Sequence, residues 1–510
     1  MPGRRRRIAW GAGGLALLVA STYVATWTLA ASPPPEPGST RLDPASPTRQ
    51  ALLAEVTTGT GADPLGSSCE RWVAPSGNDG ASGTQARPWA TLEHAAEAVP
   101  DRGCTVWFAN GVYVGGQTID RGFDERTIFR AIHPYEAVFV GGGTVLDFGD
   151  EANNMTFRGF EIHQSTGGSG VMVYLSGDAD RAPHDITFRG NVLHDSYDED
   201  LMKIRSRSHH IVVRGNVFYN QGDNEQHMDV NSVTDITIEG NIFFNDFARS
   251  GREDPGTTKH FIVVKDSNEG DDGMLGSERV TIARNVFMSF EGDTESFVAL
   301  GNDGKPFHEA QHVTLENNLL LGNGSDEITA PLTVFGARNV DFINNTVVGN
   351  MPSASYAIEA GIKGSNPANE NILLANNIWS DPTGTMDQFS DGDPANTIDL
   401  LLDGNLYWNG GDPIPGGSLL DPLDDDAHRL VGNPLLETDQ DDVAVPFWNG
   451  SSFLSGSRSI KQEFVRLVET YGSILATSRA VGAAAASLAP QKDILGHPRD
   501  DRPDLGAFEA

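Results

Sequence analysis

Three stretches decide how this chain folds. They are Ile186-Thr187-Phe188-Arg189-Gly190-Asn191-Val192-Leu193, Ile211-Val212-Val213-Arg214-Gly215-Asn216-Val217-Phe218 and Ile236-Thr237-Ile238-Glu239-Gly240-Asn241-Ile242-Phe243. Each places apolar residues five and three positions before an asparagine and a second apolar pair directly after it. The asparagine returns at Asn285, Asn318, Asn345, Asn377 and Asn405, led by Val280 and Ile282, Val313 and Leu315, Val340 and Phe342, Ile372 and Leu374, and Leu400 and Leu402. The spacing is 25 residues at the start and stretches to 44 between Asn241 and Asn285. Units of this length that cannot bury an apolar face alone must stack, which predicts a solenoid.

Within each unit the apolar residues alternate, as strands require. One strand precedes the asparagine and a short one follows it. A third comes earlier in the unit, as in Met202-Lys203-Ile204, His227-Met228-Asp229-Val230 and Phe261-Ile262-Val263-Val264. Three strands per coil, each pairing with its equivalent in the next coil, give a parallel β-helix with coils about 4.8 Å apart. Asparagine tolerates left-handed turn conformations, and stacked side-chain amides can bond to one another inside a tight corner. Leucine-rich repeats, helical arrays and a strict six-residue period do not fit the pattern.

The ends behave differently. Arg4, Arg5, Arg6 and Arg7 precede an uncharged, mostly apolar run over 8–31, followed by Ser32-Pro33-Pro34-Pro35. This predicts a signal peptide or a membrane anchor over 1–32, a flexible linker over 33–68 and one β-helix domain over 69–510. The body is therefore expected to be secreted or periplasmic, with tethering by the N-terminal segment left open. Cys69 and Cys104 are the only cysteines, and export makes a disulfide between them an expectation, with two free thiols as the alternative. The segment 88–99 has helical spacing and is suited to cap the first coil. A second helix is expected around Phe464, Val465, Leu467, Val468 and Tyr471, within a C-terminal cap over about 460–510. The net charge of −34 excludes a generic nucleic-acid binder, which needs a basic footprint.

Two passages resemble a known group. Trp72-Val73-Ala74-Pro75-Ser76-Gly77-Asn78-Asp79-Gly80, followed by Arg87-Pro88-Trp89-Ala90-Thr91-Leu92, is similar to the usual beginning of pectate-lyase-like parallel β-helices. Asp504-Leu505-Gly506-Ala507-Phe508-Glu509 resembles their usual ending. The resemblance spans roughly 70–510. It implies an all-β, right-handed parallel β-helix solenoid with an N-terminal capping helix and a C-terminal helical or extended flap. The superfamily includes polysaccharide lyases, glycoside hydrolases and epimerases, so the likeness specifies fold more than chemistry.

The densest chemistry lies in two successive coils, His194 to Arg205 and Tyr219 to Asn231. Strand alternation turns Met202, Ile204, Met228 and Val230 inward and Lys203, Arg205, Asp229 and Asn231 outward. Lys203 then falls above Asp229 and Arg205 above Asn231, with Val263 and Lys265 next in line. Asp198, Asp200, Glu225 and Asp229 form a hard oxygen site suited to Ca²⁺, with Glu199 and Asp223 competing for places. Calcium-dependent β-helix lyases resemble this arrangement in pairing such a metal site with nearby Lys or Arg. Lys203 and Lys265 are candidate bases, Arg205 a carboxylate clamp and His227 a further proton-transfer candidate. The long spacing after Asn241 predicts loops, from which Arg249, Arg252, Lys259 and His260 could contact an acidic polymer. Tyr197 and Tyr219 are candidates for stacking on sugar rings.

The expected function is a monomeric, exported lyase that cleaves a uronic-acid polysaccharide by metal-assisted β-elimination. One alternative is a glycoside hydrolase whose paired carboxylates come from Asp198, Asp200 and Asp229. Another is an epimerase, which would invert a sugar without cutting the chain. A third is a carbohydrate-binding solenoid that modifies nothing.

Overall fold

The computed structural model describes residues 69–178, 180–324, 326–351, 353–436 and 443–510. The expected leader and linker over 1–68 lie outside the described residues. Among those described, no helix is long and apolar enough to cross a membrane.

Three parallel sheets run the length of the body, two of 12 strands and one of 10. The strands before the ladder asparagines form one sheet, and those after them form another. The earlier strands of each coil, including Met202–Arg205, Met228–Asn231 and His260–Lys265, form the 10-stranded sheet. Along the body, successive coils contribute one strand to each sheet in turn, the arrangement of a right-handed parallel β-helix; the terminal coils lack a strand in the 10-stranded sheet. The fold is not wholly β: helices span Leu92–Ala98, Pro422–Asp425 and Ile460–Tyr471.

The asparagines form a continuous buried ladder. Asn191 Nδ2 donates to Asn216 Oδ1 at 3.0 Å, and Asn216 Nδ2 to Asn241 Oδ1 at 3.0 Å. The same bond runs through Asn285, Asn318, Asn345 and Asn377 to Asn405. Each Oδ1 also accepts the backbone N–H of the preceding ladder asparagine, as Asn216 Oδ1 does from Asn191 at 2.9 Å. The ladder ends on fully buried Asp426, whose Oδ2 accepts from Asn405 Nδ2 at 2.9 Å and from the Tyr407 hydroxyl at 3.0 Å.

In one respect the turn differs from the sequence expectation. The left-handed residue is the one before each ladder asparagine: Gly190, Gly215, Gly240 and Gly404, or Arg284, Asn317, Asn344 and Asn376. The asparagine is thereby free to turn its amide along the stack. Glycine suits the preceding place because a left-handed φ costs it nothing.

The N-terminal helix covers the first coils, and the C-terminal segment lies along the side of the coils. Thr91 caps the first helix by accepting from His94 N, and Leu92, Ala95 and Ala96 bury against the first coils. Cys69 and Cys104 are joined by a disulfide. Toward the C-terminus, Trp448, Phe453, Ile460, Phe464, Leu467, Val468 and Tyr471 pack on Val192, Val217, Tyr219, Ile242, Phe244, Val286 and Leu319. This covers the outer side of the sheet that follows the ladder. The final stretch is pinned to the ladder corner, where Arg499 Nη2 donates to Asn317 Oδ1 at 2.8 Å and Gly506 N to Asn376 O at 2.8 Å. The outer face of the 10-stranded sheet carries the charged cluster described next.

Candidate functional site

Register on the 10-stranded sheet agrees with the alternation argument. Lys203 pairs with Asp229 and Arg205 with Asn231, and in the next coil Asp229 pairs with Val263 and Asn231 with Lys265. Met202, Ile204, Met228 and Val230 are fully buried beneath them. The outward residues are less open than strand alternation alone implies. Asp200 and Asp229 are fully buried, and Asn231 is nearly so. The inserted loop after Lys265 closes over this edge: Ser267 N donates to Asn231 Oδ1 at 3.0 Å, and Asn268 Oδ1 accepts from Arg205 Nη2 at 3.1 Å.

Charges alternate across the face. Lys203 Nζ lies 2.8 Å from Asp229 Oδ2 and 3.1 Å from Asp200 Oδ2. Lys265 Nζ is looser, 3.9 Å from Asp229 Oδ2 and 3.4 Å from Asp303 Oδ1. Neither Asp229 oxygen receives a well-aligned hydrogen bond, so this buried carboxylate is held by ionic contact alone. Burial pushes the Asp200 carboxyl up, reinforced by the neighbouring Asp229 charge, to about 8 despite Lys203. Burial raises Glu225 as well, and the two lysines offset part of that rise. Burial alone would lower both lysines, but Asp229 and Asp200 hold Lys203, and Asp229 and Asp303 hold Lys265, above the ordinary value.

Beside this array, carboxylate oxygens of Glu199, Asp200 and Glu225 all lie within 4.8 Å of one another. Hard oxygen donors gathered this closely, with the middle one fully buried, could hold a divalent cation. Glu199, a competing candidate in the sequence, belongs to this group. Asp198 points elsewhere: its Oδ2 accepts from Gly170 N, one coil back, at 3.1 Å. Asp223 is exposed and accepts from its neighbour Asn224 Nδ2 at 3.1 Å.

Several other sequence candidates have structural duties. His227 is fully buried, stacked 4.4 Å from Phe261, and its Nε2 lies 2.9 Å from Asn245 Oδ1. Burial depresses its imidazole to about 3, which leaves it neutral inside the coil and out of reach of a polymer. Tyr219 is not available for stacking on sugars. It sits between His194 at 4.8 Å and Phe244 at 4.9 Å, under the C-terminal segment. Arg252 turns back into the body, where it donates to Asp195 Oδ1 at 3.0 Å, Asn220 O at 3.0 Å and Ser196 O at 2.9 Å. Its guanidinium lies 4.1 Å above the Tyr197 ring, so that face of Tyr197 is occupied as well. Arg249 remains half exposed beside Asp246 at 2.7 Å. Lys259 is paired with Asp293, with Glu295 at 3.9 Å.

Sequence reasoning passed over two groups. Gln226 is 5% exposed and presents its amide to Asp200 and Glu225. Asp303 supplies the second carboxylate against Lys265. Gln226 could have been found from its place beside Glu225, two residues before the strand. Asp303 lies 38 residues beyond Lys265 and follows a strand with no charged residue, so no local signal marks it.

No protein-family model matches the chain, and no curated protein matches it in sequence. Solved structures do match in shape. A XylC structure in complex with xylose is 11% identical, covering 86% of this chain and 98% of that one at a TM-score of 0.47. The A-module of the Azotobacter vinelandii mannuronan C-5 epimerase AlgE6 is 14% identical, covering 67% and 93% at 0.44. The pectate lyase Pel9A is 13% identical, covering 88% and 98% at 0.41. Likeness at this level concerns architecture and leaves the reaction open. In architecture, the chain is a right-handed parallel β-helix.

Proposed function

We propose that the chain is an exported lyase that cleaves a uronic-acid polymer by β-elimination on the outer face of the 10-stranded sheet. The supporting observation is one constellation: Glu199, Asp200 and Glu225 gathered as oxygen ligands beside Lys203, Asp229, Lys265 and Arg205 on adjacent strands. Elimination needs the proton beside the sugar carboxylate to be acidified and a base to remove it.

Glu199, Asp200 and Glu225 would hold the divalent cation. Such an ion, when bound, neutralises the sugar carboxylate and offsets the surrounding acidic field. Arg205 is suited to clamp the same carboxylate, because its guanidinium bonds only to neutral groups, Ser206 Oγ and Asn268 Oδ1, both at 3.1 Å. Lys265 is assigned as the base. Its carboxylate partners are the looser ones and one of them, Asp303, lies at the exposed edge, whereas Lys203 is fixed between two buried carboxylates. In the free protein Asp229 and Asp303 keep Lys265 protonated. It acts as a base only when their field is offset, which couples proton removal to occupancy of the acidic cluster.

The hydrolase reading draws less support. Asp200 and Asp229 share the ammonium of Lys203, so they do not face each other across a sugar bond. Asp198 is turned toward Gly170.

The test is to incubate the exported body with pectate, alginate and glycosaminoglycans, with Ca²⁺ and then with chelator. The expected product is an unsaturated uronate, detected by its ultraviolet absorbance, lost in Lys265→Ala and strongly reduced in Arg205→Ala. New reducing ends without that absorbance would replace the lyase by a hydrolase. No change in any uronic-acid polymer would end the enzymatic reading.

A further inference from the structure

We propose that Lys203 is a built-in cation, whose ammonium fills one of two cation positions in the acidic cluster. The site then takes up a single divalent ion. This rests on the reading of the cluster as a metal site, and it changes the part played by Lys203 from reacting base to positioning residue.

The carboxylates divide according to what faces them. On one side, Asp200 Oδ2 and Asp229 Oδ2 bracket Lys203 Nζ at 3.1 and 2.8 Å. Both carboxylates are fully buried, and the Lys203 side chain is only 15% exposed. Asp229 receives no aligned hydrogen bond at either oxygen, so ammonium charge is its compensation. A buried carboxylate in that condition has a strong demand for a cation, and Lys203 meets it from the neighbouring strand. On the other side, Asp200 Oδ1 turns toward Glu225 and Gln226, in the group that Glu199 completes.

Gln226 fits this division. Its backbone N–H donates to Asp200 Oδ1 at 3.0 Å, and its side-chain nitrogen can donate to the same oxygen at 3.1 Å and to Glu225 Oε2 at 3.2 Å. Asp200 thus stands in both groups, with Oδ2 against Lys203 and Oδ1 against Gln226.

A second ion between Asp200 and Asp229 would have to expel an ammonium anchored on a paired central strand.

The experiment counts ions on the chelator-stripped full chain by calorimetric titration with Ca²⁺, with thermal melting as the check on folding. The unaltered protein is expected to bind one ion. Lys203→Met is expected to bind two, and to gain more melting temperature from Ca²⁺ than the unaltered protein gains. Lys203→Arg should remain at one. The double variant Lys203→Met with Asp229→Asn removes an ammonium and a carboxylate together and should also remain at one. If Lys203→Met does not fold without metal, the double variant and Lys203→Arg decide the matter, and two ions in either overturns the proposal. One ion of unchanged affinity in Lys203→Met overturns it too, while leaving the metal site standing. No ion in the unaltered protein removes the metal site itself.

Discussion

Replacing one rung of the asparagine ladder should cost far more than an ordinary turn substitution. In Asn216→Ala, the lost Oδ1 abandons Asn191 N at 2.9 Å and Asn191 Nδ2 at 3.0 Å. The lost Nδ2 abandons Phe188 O at 3.1 Å and Asn241 Oδ1 at 3.0 Å. Two of these groups keep other partners, since Asn191 Nδ2 still reaches Phe157 O and Asn241 Oδ1 still accepts from Asn216 N. Asn191 N is left without its acceptor, in a corner where Asn191 and Asn216 are both fully buried. A buried orphan costs about 1–3 kcal/mol and each further lost bond about 0.5–1.5 kcal/mol, so the total is roughly 3–5 kcal/mol. A solenoid need not unfold in one step, so a global midpoint alone would blur this loss. Native-state hydrogen exchange reads it locally: the Asn191 amide should exchange roughly a hundred-fold or more faster, at about 1.4 kcal/mol per tenfold. Amides at the far end, such as Leu406 N, should change much less. Acceleration below about fivefold at Asn191 would refute the reasoning, because it would mean that water or local relaxation replaces the rung at little cost.

Other outcomes follow from the same contacts. Arg252→Ala should lower melting temperature more than it affects substrate affinity, because Arg252 ties Asp195, Ser196 and Asn220 together; a large rise in KM with unchanged melting would restore it to the binding surface. His194 is held between Asp195 at 2.7 Å and Glu161 at 3.3 Å, and these carboxylates overcome burial to raise its imidazole to about 9. Its contribution is therefore fully present below the ordinary imidazole value of about 6.5 and is lost as pH rises through about 9. Thermal melting between those limits should fall in the native protein and flatten in His194→Gln; identical slopes would contradict this. Separating Cys69 from Cys104 opens a loop with a sequence separation of 35, worth about 4 kcal/mol of chain entropy. Cys104→Ser should fray the N-terminal coil in hydrogen exchange and leave the exchange of Asp229 and Lys265 amides unchanged.

Much of the fold was readable because a β-helix repeats its local physics. The interval between asparagines gave the coil, and period-two alternation gave the pairing of Lys203 with Asp229 and of Asn231 with Lys265. Register in a parallel stack follows once one equivalent residue per coil is known, since a slip of one place would turn every apolar side chain outward. The same reasoning gave no warning about Tyr219. Its cover comes from Phe447 and Trp448, 229 residues away in the case of Trp448, and a periodic argument sees only adjacent coils. A signal was nevertheless present. The strands after the ladder carry apolar residues on both faces, as in Val192-Leu193, Val217-Phe218 and Ile242-Phe243, and a strand that is apolar on both faces must be covered on both.

The site was readable in position and unreadable in its pairing, and the reason lies in what alternation measures. It assigns a side chain to a face and a coil, which brought Asp200, Glu225, Asp229, Lys203 and Lys265 to one neighbourhood. It does not say how deeply an insertion will bury that face. The loop after Lys265 closes over Asn231 through Ser267 and over Arg205 through Asn268, turning an exposed patch into a desolvated one. Once desolvated, carboxylates on adjacent strands cannot all remain charged without cations, and the nearest cations decide which of them stay available. Lys203 claims Asp229 and one oxygen of Asp200, while carboxylate oxygens of Glu199, Asp200 and Glu225 remain gathered beside it. Which carboxylates remain unpaired in this chain is therefore set by where its own lysines already stand, and a count of acidic residues along the sequence could not have divided the cluster.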